Sequence, residues 1–167
     1  MEKIFYCRQW FRHDKIPTEP LDEDLARIAH NSRTLYTILI GSYERPRCFV
    51  ECNMDYIGVE FLDQRLREYT SYQFQELRPG MLFLSMAVFR CFERDSNQVV
   101  KAVVYYFGED GSTSVDKSDL SNNEAWEAKT TLDVSANWEP YPQFGDYESI
   151  TRLERGLALI HEADFIR

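Results

Sequence analysis

Residues 81–108 read "MLFLSMAVFRCFER", "DSN" and "QVVKAVVYYFG", two long β-prone runs joined by a polar turn. In the first run Leu82, Leu84, Met86 and Val88 alternate with Phe83, Ala87, Phe89 and Cys91, so both faces of an extended chain are largely apolar. Such a strand belongs inside a sheet, covered on both sides along at least part of its length. The hairpin 81–107 is therefore expected at the sheet centre, and the remaining residues must supply its neighbours and its cover.

The neighbours are read from three further β-prone runs, "RTLYTILIGS", "RCFVECN" and "YIGVEFLD", separated by "YERP" and "MD". Connections that short cannot hold a crossover helix, so the runs form an antiparallel meander. The opening "KIFYCRQWF" reads as a strand, interrupted by the polar "RHDKIPTEP". After the hairpin, "EDGS" is a tight turn in which Asp110 and Gly111 supply positive φ, and "TSVDK" returns as a short edge strand. Residues 119–142 lose periodicity and read as a long ordered loop. The stretch "QRLREYTSYQFQELRPG" fits no single template.

Cover comes from two expected helices. From about 19 to 31, Thr18 caps a segment with Pro20 in its first turn and Glu19, Asp22, Glu23 and Asp24 at its positive end. Leu21, Leu25, Ile28 and Ala29 recur there at helical spacing. From about 149 to 162, Ile150, Leu153, Leu157 and Ile160 share a helical face. These elements predict one α+β domain over residues 1–167, mainly an antiparallel sheet covered by two helices. At 44% hydrophobic and 28% charged residues the chain has the balance of a globular protein.

No run reaches the roughly 18 apolar residues of a membrane span, and the N-terminus lacks an uninterrupted apolar core of a signal peptide. A cytoplasmic protein is the expectation, with Cys7, Cys48, Cys52 and Cys91 as reduced thiols. Cys48 and Cys52 fall on one face of a strand, but with no second close ligand pair they read as small buried hydrophobes and not as a metal site. Glycine-rich phosphate loops and the common hydrolase, zinc and calcium signatures are missing, so no cofactor or metal is expected. His13 falls in a charged loop, whereas His30 and His161 suit helix C-termini better than catalysis. Acid pairs such as Glu109 with Asp110, or Glu124 with Glu127, read as solvated faces in a chain with 28 acids.

Charge is the strongest functional signal. The formal net charge is -9, and residues 109–148, with ten acids and two lysines, account for -8 of it. A field of that sign repels nucleic acid and anionic membrane and attracts basic protein surfaces. Aromatic residues are interleaved with those acids, a mixture typical of interface anchors. The candidate partner-binding residues are Asp110, Asp116, Asp119, Glu124, Trp126, Glu127, Trp138, Glu139, Tyr141 and Asp146. The competing expectation is a small enzyme or ligand-binding domain, with a pocket between the sheet and its helices.

The stretches "LYTILIGSYERPRCFVE", "VEFLDQRLREYTSYQF", "VVYYFGEDGSTSV" and "ANWEPYPQFGDYES" resemble the small immunity proteins of bacterial polymorphic toxin systems, including those with rearrangement-hotspot repeats. That resemblance implies a non-catalytic α+β domain that stays in the cytoplasm and neutralises a cognate toxin by covering its active site or substrate groove. Many such proteins are acidic because their toxins are nucleases with basic grooves. The family shares no motif that carries a binding residue by position, so the ten candidates rest on charge and aromatic content.

Overall fold

The computed structural model describes residues 2–155. These residues form eleven strands in chain order: β1 (Ile4–Phe11), β2 (Ile16–Leu21), β3 (Tyr36–Ile40), β4 (Cys48–Asn53), β5 (Tyr56–Leu62), β6 (Glu68–Arg78), β7 (Met81–Phe92), β8 (Val99–Phe107), β9 (Ser112–Asp119), β10 (Glu124–Thr131) and β11 (Trp138–Pro140). Among the described residues one helix, α1 (Glu23–Asn31), lies between β2 and β3, and a 3-10 turn at Ser135–Asn137 precedes β11. The strands form one open antiparallel sheet in the order β10-β9-β8-β7-β6-β5-β4-β3-β1-β2, so nearly every strand pairs with its neighbour in sequence. Strand β11 pairs with Met81 to Phe83 of β7, just beyond the stretch Met86 to Phe92 that β8 occupies.

The expected sheet-dominated architecture and the central hairpin are present. On the core face Val50, Val59, Phe74, Ala87, Phe89, Val103, Tyr105 and Val115 run across the strands. Ala26 and Ala29 of α1 and Val134, Tyr147 and Ile150 of the later chain pack over them. Each larger side chain contributes roughly 1.5–3 kcal/mol by leaving water. The opposite face carries a smaller cluster of Cys7, Trp10, Leu39, Phe49 and Leu62, which gives the β1–β5 part of the sheet apolar cover on both sides. None of Cys7, Cys48, Cys52 and Cys91 is in a disulfide, and burial pushes the Cys48 and Cys52 thiols up to about 12.

Several expectations are corrected. The helix expected over 19–31 begins only at Glu23, because Ile16–Leu21 pairs with β1 and holds Pro17 and Pro20 in extended backbone. Asp22, not Thr18, is its cap, its carboxylate accepting the Leu25 N–H at 2.8 Å. The buried face of α1 is Ala26, Ala29 and His30, while Leu25 and Ile28 are 51% and 61% exposed. Small side chains let the helix approach the sheet closely, and His30 is accommodated by Tyr36 Oη at 2.8 Å from its Nδ1.

The helix expected over 149–162 is not formed in its described part. Residues 148–151 make a turn, with Thr151 N–H donating to Tyr147 O at 3.0 Å, residues 152–155 continue without helix, and residues 156–162 lie outside the described residues. The unassigned stretch becomes the eleven-residue β6. The loop expected over 119–142 contains β10 and β11, so β9 is not an edge strand. At the β8–β9 turn only Gly111 takes positive φ, at +87°, and a Cβ there would meet Leu132 O at 2.5 Å. Asp110 acts instead through its carboxylate, which accepts from Ser112 N and Oγ at 2.9 and 2.6 Å.

Candidate protein-binding site

The ten candidate residues separate into distinct places. Asp116, Asp119, Glu124, Trp126 and Glu127 come together on the β9–β10 hairpin, where pairing sets Asp119 opposite Glu124, Lys117 opposite Trp126, and Asp116 opposite Glu127. Every residue of β10 is exposed, and Trp126 leaves 52% of its surface in water. Alternation puts Trp126, Lys117, Asp119 and Ala128 on the same side as Val115, the last core residue along the strands. A shallow hollow of about 490 Å³ lies there, lined also by Lys101. Asp116, Glu127 and Lys129 project from the other side.

The core thus ends at Val115, and the same face continues outward as a half-open surface with an indole and mixed charges. Asp119 is more structural than available. Its carboxylate accepts from Ser121 N and Oγ and from Asn122 N and Nδ2 at the β9–β10 turn, with Lys101 Nζ 3.7 Å away. Those bonds, the Ser121 hydroxyl foremost, hold its pKa below the ordinary carboxylate range.

The remaining candidates are dispersed. Asp110 lies at the β8–β9 turn, the opposite end of the hairpin from Asp119. Trp138 is half-buried against Phe83, ring centroids 4.9 Å apart, with the Arg78 guanidinium 4.2 Å from its own ring. Arg78 also reaches Glu109 at 3.3 Å. Glu139 is buried and paired with Arg152 and with Arg155, the latter at 2.8 Å. Tyr141 is half-buried under the Arg33 guanidinium, 3.3 Å from its ring. Asp146 is exposed in the loop after β11. The ten acids of 109–148 therefore do not make one patch, and four of them occupy the hairpin. Lys101 and Lys117 were not among the sequence candidates. The signal for both was the register, since Lys101 pairs with Asp119 and Lys117 with Trp126.

A second charged cluster occupies the other face of the sheet. Arg12 makes a two-bonded pair with Glu51 at 3.0 and 2.7 Å, and its Nε lies 3.1 Å from Glu68. Glu60 is buried there, accepts from Ser71 Oγ and lies 3.8 Å from Arg12; burial raises its pKa to about 7. Ser71 in turn accepts from Arg90 at 2.7 Å. Arg12, Lys15, Arg67 and Arg90 line a groove of about 370 Å³ beside this network. Each of these cations has a polar partner: Arg67 meets Asp63 at 2.7 Å, and Lys15 donates to Arg65 O and Asn97 Oδ1.

Of the histidines, His13 is exposed beside Asp14 and His161 lies outside the described residues. His30 is enclosed by Tyr36, Tyr141 and Phe144, and burial lowers its pKa. Among the described residues no three His, Cys, Asp or Glu side chains are grouped to hold a metal ion, and no helix is long and apolar enough to cross a membrane. No protein-family model matches the chain, and neither the curated proteins nor the solved structures give a match.

Proposed function

We propose that this protein is a cytoplasmic immunity protein: a non-catalytic inhibitor that binds a cognate bacterial toxin and blocks its basic active site. The observation that carries the reading is the β9–β10 hairpin: Trp126 is exposed on a strand with no buried residue, Glu124 shares its face, and Glu127 and Asp116 project from the other face of the same hairpin. An aromatic ring left half in water has surface to lose on association, and neighbouring carboxylates steer a basic partner toward it. The resemblance to immunity proteins gives the partner its class. The rival, a ligand pocket between helix and sheet, has less support, because the space beneath α1 is occupied by His30, Tyr36, Tyr141 and Phe144.

The test is surface-based kinetics against the product of the adjacent toxin gene. Replacing Asp116, Glu124 and Glu127 with lysine slows association by about tenfold and flattens its salt dependence. Trp126→Ala acts on dissociation, at a cost of about 2 kcal/mol of binding. If both variants bind as the wild type does, the hairpin is not the contact surface.

A further inference from the structure

The two edges of the sheet are built differently. Strand β2 carries Pro17 and Pro20, which remove two N–H donors, and Glu19 between them has φ +45°. Those features break the regular row of groups that another strand would need. Strand β10 has no proline, glycine or bulge: its eight residues pair with β9 in unbroken register from Glu124–Asp119 to Thr131–Ser112. Among the described residues nothing pairs with its outer side. Natural sheets guard such an edge with prolines, bulges or charges; β10 has only its charges, Glu124, Glu127 and Lys129, so a strand that pairs those charges favourably can add to it.

The order of residues along β10 says which strand fits. Two copies related by a two-fold axis perpendicular to the sheet pair antiparallel and keep each side chain on its own face. Centring the axis on Glu127 sets that carboxylate against its own copy, and centring it on Trp126 sets two indoles face to face with Glu124 opposite Ala128. Centring it on Ala128 sets Glu127 opposite Lys129 twice, Trp126 opposite Thr130 twice, and only a methyl group on the axis. In that register each Glu127, already facing Asp116 of its own β9, gains a lysine on its free side. Within one copy Lys129 Nζ and Glu127 Oε1 are 3.8 Å apart at 80% and 63% exposure, so both are available to a neighbour.

We propose that β10 is a self-association edge, and that two copies of this chain pair antiparallel along it with Ala128 on the axis, making one sheet continuous through both. The inference concerns the edge of the hairpin and needs no toxin, so its test is independent of the inhibitor reading. Sedimentation equilibrium of the full chain over a concentration series reaching the millimolar range shows a reversible dimer. Glu127→Lys and Lys129→Glu each place like charges opposite one another at both ends of the pairing, and each alone dimerises about tenfold or more weakly. Mixed in equal amounts, the two variants restore both attractive pairs and form a heterodimer with an affinity close to wild type. Circular dichroism confirms that each is folded. A wild-type chain that stays monomeric, single variants that dimerise normally, or a mixture that fails to pair would each overturn the proposal.

Discussion

Strands β5 and β10 belong to the same sheet and have nearly the same length, yet six of the seven residues of β5 are buried and none of the eight of β10. Strand β5 has a partner on each side and apolar clusters on both faces near it, so Ile57, Val59 and Phe61 face one core while Leu62 faces the other. Its only charge, Glu60, is held by Ser71 and Arg12. Among the described residues strand β10 has a single partner, and it carries three charges and an indole in water. The sheet is thus graded, with stability concentrated around β3–β8 and chemistry left exposed at the β10 end.

Putting the same carboxylate into both strands tests that gradient most severely. Val59 is fully buried between Val50 and Tyr72, and Val59→Asp encloses a charge with no partner. The expected cost exceeds about 4 kcal/mol, enough to prevent accumulation of folded protein. Ala128→Asp on β10 changes stability by less than about 0.5 kcal/mol. Urea unfolding of both variants measures the difference, and comparable losses would mean that β10 is covered in solution.

A smaller effect comes from Glu60, whose pKa is raised from 4.5 to about 7, chiefly by burial. Below pH 4.5 the carboxyl is protonated in both folded and unfolded chains and contributes no difference. Between 4.5 and about 7 the folded protein keeps a proton that the unfolded chain releases, so stability falls as pH rises, and then levels off. The contribution across that window is on the order of 3 kcal/mol. Glu60→Gln, which keeps an acceptor for Ser71, removes this slope. Urea midpoints measured against pH for the two proteins show curves that separate above pH 4.5; parallel curves would place the ionised Glu60 in a well-compensated site.

How much of this was legible in sequence follows the same gradient. The hairpin β7–β8 and the meander β3–β5 were readable because alternating or doubly apolar runs leave an extended chain few other options. Strand β6 was not, because its outer face is built from Ser71 and its neighbours in place of hydrophobes, and the strand is specified by pairing on both sides. Strand β2 was hidden by its prolines, and β10 by its sequence, "EAWEAKTT", which has no strand-like alternation and becomes extended only through β9. At the site, the gathering of Asp116, Glu124, Trp126 and Glu127 depended on that unrecognised hairpin. The burial of Glu139 depended on Arg155, which reaches it from sixteen residues away. Neither is encoded in local spacing.

The smallest expected change is the most informative about why the acids are there. Asp119 and Glu124 stand directly opposite one another across β9 and β10, an arrangement that disfavours the hairpin slightly. Lys101 faces Asp119 from the other side, at 3.7 Å, so Glu124→Lys would produce a row of lysine, aspartate and lysine across three strands. Substitution should therefore raise the melting temperature, by about 2 °C or less, since exposed pairs contribute little. Thermal unfolding followed by circular dichroism at low and high salt measures the shift, which shrinks as salt screens it. A rise means that Glu124 does not serve folding, and its carboxylate is then free to meet a charge on another molecule. A fall of several degrees would make the carboxylate part of the hairpin's own structure and remove it from the binding surface.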